Sequence, residues 1–364
     1  MKRIVLKIGS SSLIKADRSL DKEKLYTLVG EIAKLERAGI SVCLVTSGAV
    51  ALGIEKIGLS VKPKDMAKKQ ACAAVGQMAL MQEYEQAFEV YGMQCAQILV
   101  SHDDFGNRER IGHMTSTVQS LYEYGVVPVV NENDALAVEE IKLGDNDTLS
   151  SMMALVTCAD LLVIISDIDG LFTSNPKTDN SAKLIPIVNK IDGNIIKIAG
   201  GAGSDVGTGG MATKINAAII ATNAGIDMMI INQTRLSALF ENVQSKTGGT
   251  LFTSGENRLS VKKAWILYCA DVKGRLTVDD GAKKALLSRT SLLPVGVTAV
   301  FGNFYEGEVV EISDKDGGVF AKGIINYSSD AVKTEMKKRL CELNLKSAKN
   351  KQVVIHADNL ALTV

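Results

Sequence analysis

Residues 34–48 read KLERAGISVCLVTSG, and the order of events in this stretch decides the fold. An amphipathic segment ends at Gly39, and a β-branched apolar run, Ile40 to Val45, follows at once. Glycine just past a helix end takes the left-handed conformation at little cost, and an unbroken apolar run reads as a strand buried on both faces. A small polar turn, Thr46-Ser47-Gly48, comes next. The pattern recurs at FEVYG92-MQCAQILV, LYEYG125-VVPVV and ATNAG225-IDMMII. Helices alternating with apolar strands predict an α/β protein with an open, mostly parallel sheet sandwiched by helices. Arg3–Ile8 and Leu161–Ile165 are expected to join that sheet, and residues 65–90 predict one long helix.

The texture changes after about residue 250. A polar connection, SGENRLSVKK, leads into short runs that read as strands: AWILY, GRLTVDD, TAVFGNFYEGEVVEISD and GVFAKGIINYSS, interrupted by the amphipathic stretch 281–288. Short strands at close spacing predict a small barrel-like β domain. The expected division is an α/β domain over residues 1–255 and a β-rich domain over 270–350, which suits a chain of 364 residues. The 41 basic residues balance 41 acidic ones, which argues against a strongly basic nucleic-acid or membrane-surface binder. The six cysteines never lie closer than 23 residues apart, so no Cys-x-x-Cys metal or redox site exists. Most sit in apolar segments, as buried thiols do in a reducing cytoplasm. With no run of eighteen apolar residues, no membrane partner is expected.

Ligands of an open parallel sheet bind beyond the carboxyl ends of its strands. There the sequence places Gly9-Ser10-Ser11-Ser12, Thr46-Ser47-Gly48, Asn131-Glu132-Asn133-Asp134 and Ser166-Asp167, with Asp145-Asn146-Asp147 just downstream. Small polar loops thus converge on one edge. Lys7 alone would read as an edge residue, but the backbone N–H groups of Gly9-Ser10-Ser11 suit an anion, and together they make a phosphate clamp. Ser47-Gly48 also fits a plain helix cap, and one residue of the 145–147 triplet is expected to serve only as an N-cap. The glycine tract 200–214 is no Walker A loop, since Gly-Lys never occurs in the chain. Gly207-x-Gly209-x-x-Ala212 matches the dinucleotide fingerprint loosely but lacks the strand that should precede it. What remains is a phosphate-binding loop opening a helix, with Lys214 one turn inside. Two lysines, anion-binding loops and clustered carboxylates and amides point to phosphoryl transfer by positioning and charge neutralisation. Mg²⁺ is expected to arrive with the nucleotide, and no protein metal-ligand set is expected. The three histidines lie outside these loops, which argues against a histidine-based triad.

VLKIGSS, VTSGAVALG, VVNENDA, GDNDTLSS, ISDIDGLFTSNP and GTGGMATK, in that order over about residues 1–250, resemble the amino acid kinase family. The stretch from Leu276 through LLPVGVTAVFGNFYEGEVVEI resembles a PUA domain, a small pseudo-barrel. The resemblance implies transfer of the γ-phosphoryl group of ATP to the side-chain carboxylate of L-glutamate, with Mg²⁺. The product would be L-glutamyl 5-phosphate, at the head of proline biosynthesis, with proline as an inhibitor. It also implies a cytoplasmic homo-oligomer, a dimer or tetramer. Carried over by position, Lys7 and Lys214 would neutralise the phosphoryl group in transit and Asp147 would hold both ammonium groups. Ser47, Asn131, Asp134 and Asn146 would contact glutamate, with Asp145 beside them. The nucleotide would lie on Lys7, Gly9, Ser10, Ser166, Asp167, Thr208, Gly209, Gly210, Met211, Ala212, Thr213 and Lys214. Ser166 and Ala212 stand where Thr and Ser are also used.

Two alternatives frame this reading. A kinase of acetylglutamate or aspartate is countered by the TSGA and NENDA loops and by the C-terminal module. An RNA-binding protein with a regulatory α/β part is countered by net neutrality and by the lack of an aromatic–basic string. RNA stays open as a partner of the C-terminal module, with nothing in the composition to support it.

Overall fold

The structure, a computed structural model, describes residues 2–136, 146–200, 210–255, 258–342 and 353–363. It divides into two units. The first comprises Met1–Asp104 and Glu109–Arg258; the second comprises Leu259–Val364 and the short stretch Phe105–Arg108.

The first unit is built on eight strands: β1 (Arg3–Ile8), β2 (Ser41–Val45), β3 (Gln94–Val100), β4 (Val126–Glu132), β5 (Leu161–Ser166), β6 (Ile187–Val188), β7 (Asp227–Asn232) and β8 (Gly249–Phe252). Their order in the sheet is β3-β4-β2-β1-β5-β7-β8-β6. Every pair is parallel except β7 with β8. The mostly parallel α/β sheet expected from the sequence is therefore present. Gly39, Gly92, Gly125 and Gly225, the residues that end the four amphipathic segments, all have positive φ, between 69° and 83°. Strand β1 runs down the middle, buried along nearly its whole length, with β2 on one side and β5 on the other. The chain first builds outward from β2, then crosses back to β5, so the strand order reverses at β1. That reversal is where a ligand crevice opens in such sheets.

The run at residues 93–100 departs from expectation. Its position after Gly92 predicts a strand buried on both faces, but β3 is the terminal strand and is only partly covered, with Gln94, Gln97 and Leu99 exposed. A strand at the end of a sheet has neighbours on one side only, so apolar content alone did not secure burial.

Two helices that flank the crevice, Ala49–Ile57 and Met66–Val90, pack at backbone distance. A Cβ at Gly76 would lie 1.8 Å from the Ala49 carbonyl oxygen and 2.4 Å from the Gly53 nitrogen, and one at Gly53 would lie 1.8 Å from the Cys72 carbonyl oxygen. No side chain fits at this crossing. Gly76→Ala is expected to lower unfolding stability by about 1–3 kcal/mol through overpacking. Urea titration followed by circular dichroism reads it, and an unmoved midpoint would mean the helices do not meet there.

The second unit carries its own sheet and core. Strands β9 (Val272–Val278), β10 (Val297–Gly302), β11 (Val309–Ser313), β12 (Val319–Ile324) and β13 (Leu360–Leu362) lie in the order β10-β9-β11-β12-β13. Leu276, Phe304, Ile312 and Ile325 are among the residues sealed inside. AWILY, read from the sequence as a strand, lies instead in the helix Val261–Tyr268. The Ser260 side chain accepts from the Lys263 backbone N–H at 3.3 Å, and Val261, Ala264, Trp265 and Tyr268 recur at helical spacing. The cap and the period override the strand preference of the aromatic residues. Among the described residues, no helix is long and apolar enough to cross a membrane.

Candidate active site

Lys7 sits at the carboxyl end of β1, opposite Val45 of β2 and Ile164 of β5. Its Nζ lies 2.5 Å from Asp147 Oδ1, and Lys214 Nζ lies 3.1 Å from Asp147 Oδ2. The Asp147 side chain is fully buried, and those of Lys7 and Lys214 are only 7% and 5% exposed. Ion pairs in water contribute little, but here three charges are held away from solvent, where each loses hydration and depends on the others. Two ammonium groups set against one carboxylate give this triad a net positive charge. Such a triad stabilises an anion brought to it.

Local structure fixes the triad. Asp147 lies in the first turn of the helix Asn146–Val156, where the helix dipole favours a carboxylate. Lys214 lies in the first turn of the helix Met211–Asn223, whose N-cap is Gly210. One turn gives Thr213 the same reach, and its hydroxyl donates to Asp147 Oδ2 at 3.0 Å. Gly9 follows β1 directly, and a Cβ there would stand 3.6 Å from Lys7 Nζ, so glycine leaves bare backbone beside the ammonium. Ser10 begins the one-turn helix Ser10–Leu13.

A second cluster adjoins the triad because Asn146 precedes Asp147. Asn146 Nδ2 donates to the Thr46 carbonyl at 2.7 Å and to Ser47 Oγ at 2.6 Å, and faces Asn131 Oδ1 at 3.4 Å. Asn131 Nδ2 donates in turn to Gln77 Oε1 at 2.8 Å. Beneath them, Thr46 Oγ1 and the Tyr84 hydroxyl lie 2.8 Å apart. Burial pushes the Tyr84 phenol up, so it stays neutral at any physiological pH. An open cavity of about 840 Å³ adjoins the cluster, lined by Gln77, Glu132, Asn133 and Asp134 among others. Cys95 also lines it; burial, aided by the charge of Glu85, pushes its thiol up to about 11, so it is a poor nucleophile.

The sequence-derived residues are thus distributed unevenly. Lys7, Asp147, Lys214 and Thr213 meet directly, and Ser47, Asn131 and Asn146 form one hydrogen-bonded group. Asp134 stands in a turn closed by the Leu136 N–H donating to the Asn133 carbonyl at 3.0 Å. Ser166 ends β5, and its hydroxyl donates to Asp167 Oδ1 at 3.1 Å. Met211 and Ala212 open the helix that carries Lys214. Asp145, Thr208 and Gly209 lie outside the described residues. One participant escaped the sequence reading, Gln77; Thr46, whose carbonyl anchors Asn146, was placed in the converging loops but given no role of its own. Gln77 left a signal, being a polar residue at helical spacing among the buried Ala73, Leu80 and Tyr84.

The family model described as "Amino acid kinase family" matches residues 2–232. The chain belongs to the amino acid kinase family. A second model, the PUA domain, matches residues 274–344. A protein named glutamate 5-kinase from Caldanaerobacter subterraneus subsp. tengcongensis is 43% identical over 99% of this chain and 97% of its own length. Another of that name, from Desulfitobacterium hafniense, is 41% identical over 100% of this chain and 99% of its own. The expected kinship therefore extends through both units. Among solved structures, a carbamate kinase from Giardia lamblia bound to AMP-PNP superposes with a TM-score of 0.51 at 18% identity, covering 70% of this chain and 99% of that one. That likeness bears on the family's fold alone.

Proposed function

We propose that the chain transfers the γ-phosphoryl group of ATP to the side-chain carboxylate of L-glutamate, releasing ADP and L-glutamyl 5-phosphate. In this reading it catalyses the first step of proline biosynthesis. The observation that carries it is the single carboxylate of Asp147 bridging Lys7 and Lys214 beside a cluster of amides. A carboxylate is already ionised at pH 7, so its attack needs no general base. The barrier is the approach of two anions, and the two ammonium groups meet that charge. A glutamate carboxylate oxygen bonds to the γ-phosphorus as the bond to the bridging oxygen of ADP breaks. Asp147 holds both lysines at fixed spacing, so little reorganisation accompanies the transfer.

Ser47, Asn131 and Asn146 suit the polar groups of the acceptor amino acid, and Asp134 suits its ammonium group. Gly9, Ser10, Ser166, Asp167 and the start of the helix Met211–Asn223 suit the nucleotide. Mg²⁺ in this reading is carried by the ATP phosphates. Among the described residues, no three His, Cys, Asp or Glu side chains converge as a metal cage, so no step is assigned to a protein-held ion. L-Proline is proposed as an inhibitor competing for the amino-acid site.

Coupled ADP release decides the acceptor. L-Glutamate should support turnover, and the acyl phosphate should be trapped by hydroxylamine as a hydroxamate. N-Acetylglutamate and L-aspartate should give less than about a hundredth of that rate, since one lacks the ammonium group and the other is a methylene shorter. Equal rates with acetylglutamate would reject the assignment.

A further inference from the structure

Gln77 belongs to no motif, yet it ends a chain of amides with only one self-consistent orientation. A backbone carbonyl can only accept, so Asn146 must turn its NH₂ toward Thr46. The same NH₂ faces Asn131, which must therefore present Oδ1 to it. Asn131 then has only its NH₂ left for Gln77, and Gln77 must present Oε1. Turning the Gln77 amide over would set one NH₂ against another. The direction fixed at the Thr46 carbonyl is thus passed through two asparagines to a residue on a different helix.

Two further observations single out this residue. Gln77 is 8% exposed, and its Nε2 is buried with no hydrogen-bond partner among the described residues. A buried donor without a partner is a cost that an apolar side chain of the same size would avoid. Gly76, next to it, is the residue that brings its helix to backbone distance from Ala49, directly after the Thr46-Ser47-Gly48 turn. The helix is brought close, and the side chain that results from the approach is a half-satisfied amide touching Asn131.

We infer that Gln77 is a positioning residue for the amino-acid substrate: it locks Asn131, and through it Asn146, in the one amide orientation that the substrate reads. The inference rests on the functional reading above. Gln77 acts through Asn131 and is assigned no contact of its own with the substrate.

The test is a double-mutant cycle on the full chain with L-glutamate as the probe. Gln77→Met keeps the volume and removes the acceptor. It should raise KM for L-glutamate about tenfold, the loss of one hydrogen bond in a dry site, while kcat and KM for ATP stay within about threefold. In an Asn131→Ala background the same change should raise KM less than about twofold further, because the residue it acts through is gone. Gln77→Ala, which leaves a gap in place of a misfit, serves in the cycle if Gln77→Met does not fold. A full tenfold effect in both backgrounds would mean an independent contact and would overturn the inference. So would an unchanged KM with a lowered Tm, the mark of a purely structural amide. A wild-type chain that ignores L-glutamate sinks the proposed function; a wild type that uses it, with an indifferent Gln77→Met, sinks only the relay.

Discussion

Replacing Asp147 by alanine is expected to lower kcat by about 10³-fold or more while KM for either substrate moves far less. The carboxylate touches both Lys7 and Lys214, at 2.5 and 3.1 Å, so one substitution releases both charges from their fixed places. Positioned charges of this kind act on the transition state of phosphoryl transfer more than on bound substrate, and removing one typically costs factors of 10² to 10⁵. The substitution should also destabilise the first unit, because two buried ammonium groups lose their shared counter-charge, a change worth about 3–5 kcal/mol where a buried pair is broken. Lys7→Ala and Lys214→Ala should each lower kcat with smaller losses of stability, since each leaves one pair intact. Steady-state kinetics with a parallel melting curve separates the two effects. Near-normal kcat in folded Asp147→Ala enzyme would remove the residue from the mechanism.

The second large effect is expected at Asp134, and in the other kinetic constant. If its carboxylate meets the ammonium group of glutamate, Asp134→Ala should raise KM for glutamate by up to about a hundredfold, the loss of a charge-assisted hydrogen bond worth roughly 1.5–3 kcal/mol. The ammonium contact does not change as the phosphoryl group moves, so kcat should hold within a few-fold. The proposed inhibition by L-proline, which offers the same α-carboxylate and a secondary ammonium, should weaken in parallel. Initial rates over a grid of glutamate and proline concentrations provide both numbers. A plain role as a helix cap, the competing reading, would lower Tm and leave KM alone. Asp134 to Leu136 form a turn, and the residues that would continue a helix from Ala135 lie outside those described.

Much of this was legible in the sequence, for identifiable reasons. A glycine after each amphipathic segment and an apolar run after each glycine dictate a helix, a chain reversal and a buried strand. The sheet and its carboxyl edge follow from that local grammar. Lys7 and Lys214 could be paired on paper because one follows a strand and the other opens a helix. What could not be read were facts set by tertiary neighbours. The terminal place of β3 depends on which strand lies beside it, although Gln94 and Gln97, two of the three residues it exposes, already mark its sequence as less apolar than a central strand. The 261–268 helix was misjudged because β-favouring aromatics outweighed a serine cap and a helical period that were both visible. Gln77 lies in no motif and its role rests on one side-chain oxygen, and the role of Thr46, inside a motif, rests on a backbone oxygen that any residue would offer.

Lys7 and Asp147 are 140 residues apart in the chain, and they meet only because β5 returns to the flank of β1 opposite β2. Until that crossing closes, the lysine on the central strand and this carboxylate are not brought together. A chain arrested with β1, β2, β3 and β4 assembled would already own most of the proposed amino-acid loops and yet be unable to turn over. Catalysis in this protein is therefore an all-or-none readout of the completed sheet. During refolding, regained turnover should trail regained secondary structure, and no partly assembled species should contribute a fractional rate.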